Sequence, residues 1–331
     1  MKVTVFGDGA WGTALAMNLV YNQHDTALWG AFPDYLERMR SERANPKFLP
    51  GVKLPEELTL LPDLAEAVRR SELIVLATPT QFLRPVLRRM KPYFSPQVPV
   101  VNVAKGIEKD TWLRISQIVA QELGDQVRMV ELSGPSHAEE VSRQVPTAVV
   151  SASREAAAAE LVQQVMMNDR FRVYTSDDVI GVELGGALKN VMAIAAGIID
   201  GMHLGDNPKA ALMTRGVLEM GRLGQALGGK SATFNGLSGI GDLIVTCTSG
   251  HSRNRHVGEE LGRGRRLADI LQEMGMVVAE GVPTTLGAYT LARRANVETP
   301  VIDEIYAVLY QDRPVKTAIH NLMSRAAKPE W

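Results

Sequence analysis

The chain has 331 residues, 45% of them hydrophobic and 22% charged, enough to bury a large core and to make roughly two domains the natural expectation. Thirty-six basic residues against 37 acidic ones leave a formal charge of -1, so no global basic field draws the protein to nucleic acid, and a small, local ligand is expected instead. The single cysteine, Cys247, excludes an internal disulfide and suits a reducing cytoplasm, and no clustered Cys/His spacing suggests a structural zinc.

In MKVTVFGDG one lysine and four apolar or β-forming residues precede Gly7, too few for the core of a signal peptide. No uninterrupted apolar run approaches the roughly 18 residues of a membrane span. Neither export nor a membrane anchor is expected. The first half then alternates short β-branched runs with helical patterns: VTVFG and the helix WGTALAMNLVYN; ALWG; LTLL; LIVLAT with a Pro/Leu/Arg segment; VPVVNVAKG with TWLRISQIVAQEL; RMVEL; and TAVVSAS. That rhythm predicts an α/β fold: a Rossmann-type, parallel, doubly wound sheet over residues 1–177. The charged stretch LERMRSERANPK reads as a solvated helix and loop. From about Asp178 the apolar positions follow helical spacing, broken at GDNP, GLSGIGD, GRGRR and EGVPT, which predicts an all-α second domain over residues 178–331.

Gly7, Gly9 and Gly12 stand in GDGAWG, directly after the strand VTVF and before a helix beginning near Trp11. Strand, glycine turn and helix in this order are the signature of a dinucleotide site: the glycines allow a tight turn, and backbone N–H groups at the positive end of the helix meet a pyrophosphate. The usual companion is a carboxylate at the end of the second strand, on the ribose hydroxyl of NAD. Here that strand ends ALWGAFPD and the nearest carboxylate, Asp34, comes several residues late. With no clear arginine for a 2'-phosphate either, the choice of NAD or NADP stays open.

In ELGGALKNVMAIAAGI, Lys189 lies among small and apolar residues, and Glu183 is the only other charge across residues 182–199. A lysine at a helix edge can simply reach water. With no solvated face to join, and with Gly185, Gly186 and Ala187 one turn before it, Lys189 is equally well read as a desolvated acid/base whose pKa is pulled down. VAKGIE carries Lys105 at the C-terminal end of a predicted strand, the edge where open α/β sheets bind ligands. LSGPSHAEE places Gly134, Ser136 and His137 at the end of the next strand, and GIGDLIVTCTSGHSRNR gathers Asp242, Thr246, Ser252, Arg253, Asn254 and Arg255. Ser252 reads as a helix N-cap, where Arg253 would suit a phosphate.

GDGAWGTALA, NPKFLPGVKLP, TPTQF, AKGIE, SGPSHAEEV, ELGGALKNVMAIAAGI, NGLSGIGDLIVTCTSGHSRNR and VAEGVPT, in this order and over nearly the full length, resemble the bacterial-type NAD(P)-dependent sn-glycerol-3-phosphate dehydrogenases. The resemblance implies reversible hydride transfer between a nicotinamide and C2 of glycerol 3-phosphate, with dihydroxyacetone phosphate as the ketone. It implies Lys189 as general acid/base, Asp242 holding its ammonium, Lys105 polarising the same oxygen, and Thr246 as a supporting hydrogen-bond donor. Arg253, Asn254, Asn190 and Ser252 match substrate-phosphate ligands, and Gly134 and Ser136 further substrate contacts. Besides the turn residues Gly7, Gly9, Ala10, Trp11 and Gly12, the positions matching cofactor contacts are Phe82, Lys105, Ala138, Arg253, Val278 and Glu280. It also implies a cytoplasmic homodimer supplying glycerol 3-phosphate for phospholipid synthesis.

Two departures stand out. Ala10 replaces a serine common in the glycine loop, and Ala31 replaces a basic residue after LWG, which removes the expected partner of a 2'-phosphate and leaves Arg38, Arg40 and Arg43 as candidates to fold back. A β-hydroxyacid dehydrogenase, which also carries a lysine on its interdomain helix, is the nearest alternative; a non-catalytic dinucleotide sensor is the other. The phosphate-suited HSRNR argues against the first, and the set Lys105, Lys189 and Asp242 against the second. His137, His203, His251 and His256 read as surface, capping or packing residues, and no metal is expected.

Overall fold

Val, Ile, Leu and Phe dominate the strand segments because the sheet they form is covered on both faces. The computed structural model describes residues 1–275, 278–327 and 329–330. In the first domain the elements follow as β1 (Lys2–Phe6), α1 (Ala10–Tyr21), β2 (Asp25–Trp29), α2 (Pro33–Glu42), β3 (Ala44–Asn45), β4 (Leu49–Lys53), β5 (Thr59–Leu61), α3 (Leu64–Arg69), β6 (Leu73–Leu76), α4 (Thr80–Met90), β7 (Val100–Asn102), α5 (Ile115–Leu123), β8 (Met129–Ser133), α6 (Ala138–Val141), β9 (Thr147–Ala152), α7 (Ala156–Met166) and β10 (Phe171–Ser176). Eight strands form one sheet in the order β10-β9-β8-β7-β6-β1-β2-β5, which is the α/β sheet expected. One apolar core lies around Val3, Val5, Leu15, Leu73 and Val101, and a second around Phe6, Trp29, Ile74, Leu87 and Ile118.

Two details differ from the simple parallel reading. TAVVSAS forms β9, but it runs antiparallel to β8, with Ser133 opposite Val150. The four-residue α6 is too short to carry the chain back to the far edge of the sheet, so β9 starts from the edge where β8 ends. NPKFLPGVKLP makes the small antiparallel pair β3–β4, whose Asn45 side chain donates to the Asp8 carbonyl at 2.8 Å and so pins the hairpin beneath the glycine turn.

After β10 the chain is helical: α8 (Val179–Gly201), α9 (Asp206–Ala226), α10 (Ser231–Phe234), a π-turn over Leu237–Gly241, α11 (Asp242–Thr248), α12 (Arg253–Gly262), α13 (Leu267–Met274), α14 (Gly281–Arg294), α15 (Pro300–Tyr310) and α16 (Val315–Met323). Helix α8 starts on an Asp178 cap that accepts from the Gly181 amide at 2.9 Å. It is long and apolar enough to cross a membrane, but that apolar window is wholly buried within the protein, where α8 runs through a third core, that of the helical part. Helix α12 crosses it at backbone contact: a Cβ on Gly258 would overlap the Ile194 carbonyl, and one on Gly262 would come 2.5 Å from that of Ile198. Small residues at this crossing hold the start of α12 close to the middle of α8.

Candidate active site

At the glycine turn the three glycines have separate duties. Gly7, at φ +132°, adopts a conformation that L side chains rarely take, and a Cβ there would meet the Ala77 carbonyl carbon at 2.6 Å. A Cβ on Gly12 would overlap the Gly7 carbonyl oxygen, so its bareness lets α1 pack on the turn. Gly9 faces open space. It is the N-cap of α1, which has no side-chain cap and no acidic residue in its first turn. A cradle that is open above Gly9, with backbone N–H groups at a positive helix end, fits an anionic pyrophosphate. Ala10 opens the helix, and Trp11 follows with a buried indole N–H that has no partner.

The second cluster forms where the C-terminal edge of the sheet meets α8 and α11. Lys189, 6% exposed, donates to Asp242 Oδ1 and, at 2.7 Å, to Thr246 Oγ. Thr246 stands one turn after Asp242 on α11 and donates to the same carboxylate at 3.3 Å. Lys105, in the loop after β7, reaches Asp242 Oδ2 at 2.7 Å, the Gly134 carbonyl at 3.0 Å and Ser136 Oγ at 3.4 Å. One buried carboxylate therefore clamps two ammonium groups contributed by different domains.

Burial pushes the Lys189 ammonium down to about 8; Asp242 opposes the shift and Lys105 adds to it. For Asp242 burial acts upward, but the two lysines outweigh it and hold the carboxyl below its ordinary value. The result is a proton donor that is charged at neutral pH yet gives up its proton readily. Cys247, nearby and buried, is pushed up to about 12 and is no nucleophile. Among the described residues no group of three or more His, Cys, Asp or Glu is arranged to hold a metal.

The remaining predicted residues fall into two groups. Asn190 and Asn254 are buried and committed to protein: Asn190 donates to the Lys105 carbonyl at 3.1 Å, Asn254 donates to Asn190 Oδ1 at 3.0 Å, and Asn254 Oδ1 accepts from the Gly281 amide at 2.9 Å. Ser252 caps α12 by accepting from the Arg255 amide at 3.2 Å, the reading its sequence context favoured. Arg253, one residue later, is exposed. Glu280 reaches across from the helical domain, accepting from the Thr80 amide at 2.6 Å and from its hydroxyl at 3.2 Å. Phe82 is exposed on α4, Ala138 begins α6, and Val278 is half-buried before α14.

Thr80 and Asp8 are site neighbours that the sequence reading does not include. Thr80 gives no local signal, since its partner Glu280 is 200 residues away. Asp8 does: it is a carboxylate inside a turn expected to meet a pyrophosphate. His137 packs with its ring 5.9 Å from that of His251, in line with a packing role. A separate hollow lined by Asn18, Tyr21, Gln144 and Asn168 holds none of the predicted residues.

Comparison with known proteins bears on this geometry. The family description "NAD-dependent glycerol-3-phosphate dehydrogenase N-terminus" matches residues 2–159, and the corresponding C-terminus description matches residues 178–320. The chain is 49% identical over 331 residues to the glycerol-3-phosphate dehydrogenase [NAD(P)+] of Bacillus pumilus, covering 99% of this chain and 96% of that one. Its identity to the Bacillus subtilis protein of the same name is 48% with the same coverage. A crystal structure of glycerol-3-phosphate dehydrogenase from Coxiella burnetii superposes with a TM-score of 0.94 at 38% identity, covering 98% of this chain and 99% of that one.

Proposed function

The chain belongs to the NAD-dependent glycerol-3-phosphate dehydrogenase family, and from that premise we propose how its residues carry out the NAD(P)-dependent interconversion of dihydroxyacetone phosphate and glycerol 3-phosphate. The nicotinamide, when bound, supplies or accepts the hydride at C2. Lys189 Nζ delivers the proton to the C2 oxygen in reduction and takes it back in oxidation. Asp242 aims that ammonium, and Thr246, accepting from Nζ while donating to the carboxylate, sets its direction. Lys105 brings a second positive charge to the same oxygen, stabilising the charge that develops there as the carbonyl is reduced. The observation that carries this reading is the single Asp242 carboxylate held between Lys105 and Lys189.

Arg253 and the free amides at the start of α12 take the substrate phosphate, a placement supported by the Ser252 cap and by the exposed guanidinium. Asn190 and Asn254 support this anchor from behind, linking the Lys105 loop, α12 and the start of α14. Ser136 and Gly134 sit beside Lys105 on the opposite wall. Gly7, Gly9, Ala10, Trp11 and Gly12 hold the dinucleotide at the head of α1, with Phe82, Ala138, Val278 and Glu280 closing around it. Residues 1–177 act as the dinucleotide domain and 178–331 as the substrate domain.

The same proposal takes the enzyme to be a cytoplasmic homodimer that supplies glycerol 3-phosphate to phospholipid synthesis. The free, buried Cys247 suits a reducing compartment, and exposed apolar side chains such as Tyr310 and Met323 on the last two helices offer surface for a second copy. The decisive test is Lys189→Ala. Ketone-dependent oxidation of the reduced cofactor should fall by about 10²-fold or more, while cofactor binding persists. Unchanged turnover would remove Lys189 from the chemistry.

A further inference from the structure

Selection between NAD and NADP requires a group at the adenosine ribose, and the position where a Rossmann domain usually keeps its carboxylate, the end of the second strand, holds Gly30 and Ala31 here. Asp34 is exposed on the first turn of α2. A different carboxylate occupies the neighbourhood. β1 and β2 pair in parallel with Phe6 opposite Trp29, and the Gly7 amide donates to the Trp29 carbonyl at 2.9 Å, so the turn after β1 lies alongside the end of β2. Asp8 projects from that turn onto Gly30: a Cβ placed there would lie 2.5 Å from Asp8 Oδ2 and 2.6 Å from its Cγ. The residue is 9% exposed, and Oδ2 is buried without a hydrogen-bond partner.

We propose that Asp8 reads the cofactor ribose, its carboxylate accepting from the 2'-hydroxyl of NAD and repelling the 2'-phosphate of NADP. The inference rests on the dinucleotide reading of the glycine turn. One oxygen of this carboxylate is left without a donor, which is costly, and turning the carboxylate toward a ribose hydroxyl gives it the donor that the protein withholds. Burial also raises the Asp8 pKa, the Asp8 backbone and the positive charge of Lys47 opposing the rise. A phosphate dianion in that place would set like charges together at short range.

Two of the arginines that could have met such a phosphate are engaged elsewhere, and the third, Arg43, is held in part, its Nε and Nη2 being buried without a hydrogen-bond partner. Arg38 pairs with Glu42 at 2.7 Å, and Arg40 pairs with Glu37 and donates to the Leu60 carbonyl at 2.7 Å. Arg43 donates to the Leu58 carbonyl at 3.3 Å and faces Glu56. Lys47 is the cation whose charge reaches Asp8, and its attraction for a phosphate is what the carboxylate must outweigh.

The test is direct binding of NADH and NADPH to the full-length protein without ketone, followed by fluorescence, for the wild type, Asp8→Asn, Asp8→Ala and Gly30→Ala. The wild type should bind NADH at least about tenfold more tightly, the worth of one hydrogen bond to a charged group. Both Asp8 variants should narrow that ratio by losing NADH affinity and gaining NADPH affinity. Gly30→Ala keeps the charge but displaces the carboxylate, and should weaken NADH binding. Equal affinity for the two cofactors in the wild type, or a ratio unmoved by all three substitutions, overturns the inference and leaves the dinucleotide site standing. Failure of a folded wild type to bind either cofactor overturns both.

Discussion

Lys189 donates to one oxygen of Asp242 while the other oxygen of that carboxylate is held by an ammonium from the opposite domain. With Lys189 depressed to about 8, the rate of ketone reduction should hold through neutral pH and fall above that value, because the neutral amine has no proton to give. Glycerol 3-phosphate oxidation should rise over the same interval. The midpoint should respond to its neighbours in opposite senses. Lys105→Ala removes a repelling charge and moves it up, whereas Asp242→Asn removes the counter-charge and moves it down. Profiles of kcat/KM against pH in both directions check this, and a midpoint unmoved by either substitution would separate the titration from Lys189.

Gly186 packs against Ser133, at the end of β8, and touches the Lys105 stem. A Cβ there would come 2.7 Å from Ser133 Oγ and 3.4 Å from Lys105 Cγ. Gly186→Ala should therefore push Ser133 aside while only touching Lys105, and a shift of the strand end beside the Lys105 loop should lower kcat by about 10-fold with little effect on cofactor binding. Ser133 Oγ is buried without a partner, so Ser133→Ala frees space without breaking a bond. The double variant should recover much of the lost kcat. A double variant no faster than Gly186→Ala would show that the overlap with Ser133 is not what the glycine avoids.

Packing of α12 on α8 should be equally intolerant, for a structural rather than a chemical reason. Gly258→Ala drives a methyl group into the Ile194 carbonyl, and relief requires the helices to part. Overpacking of this kind costs about 1–3 kcal/mol. Urea unfolding should show that loss, and because α12 carries Arg253 at its start, the KM for the phosphorylated substrate should rise with it.

How far these relationships could be read in the chain itself depended on their range. The strand, glycine turn and helix of the cofactor site are contiguous, and the alternation of elements up to β9 is visible as a change of apolar period, whereas β10 (FRVYTS) is not among the strands read from sequence. Lys189 announced itself as a charge without a solvated face. Its partner Asp242, 53 residues on, was reached through resemblance, because no spacing rule links a helix interior to the first turn of another helix. The reversed direction of β9 was not legible, since strand orientation is decided by the connection and not by the strand's own residues. Asp8 has no sequence signal of its own at the ribose position, because only the parallel pairing of Phe6 with Trp29 brings the turn after β1 alongside the end of β2.

Behind the Lys105 loop a pair of acids, Glu131 and Glu183, is buried, and it makes the last prediction. Glu131 on β8 accepts from Asn102 Nδ2 at 2.7 Å, and the Asn102 side chain in turn holds both the amide and the carbonyl of Ala104, the residue before Lys105. Burial, and then the nearby Glu183 carboxylate, raise the Glu131 carboxyl well above its ordinary value of 4.5, with Asn102 and Arg114 acting downward. Glu183 itself is engaged by Arg114 and by the amide and hydroxyl of Ser116. A carboxyl raised on folding favours the folded state below its unfolded value, and that contribution is lost as pH climbs toward the folded value. Glu131→Gln removes the titration, retains an acceptor for Asn102, and supplies a neutral donor where Oε1 has no partner. The variant should therefore gain on the wild type from pH 5 to pH 8, by about 1–3 kcal/mol at the upper end, the cost of an unmet buried polar group. Urea unfolding of both proteins at the two pH values measures the difference, and a gap that does not widen with pH would mean that Glu131 does not take up a proton on folding.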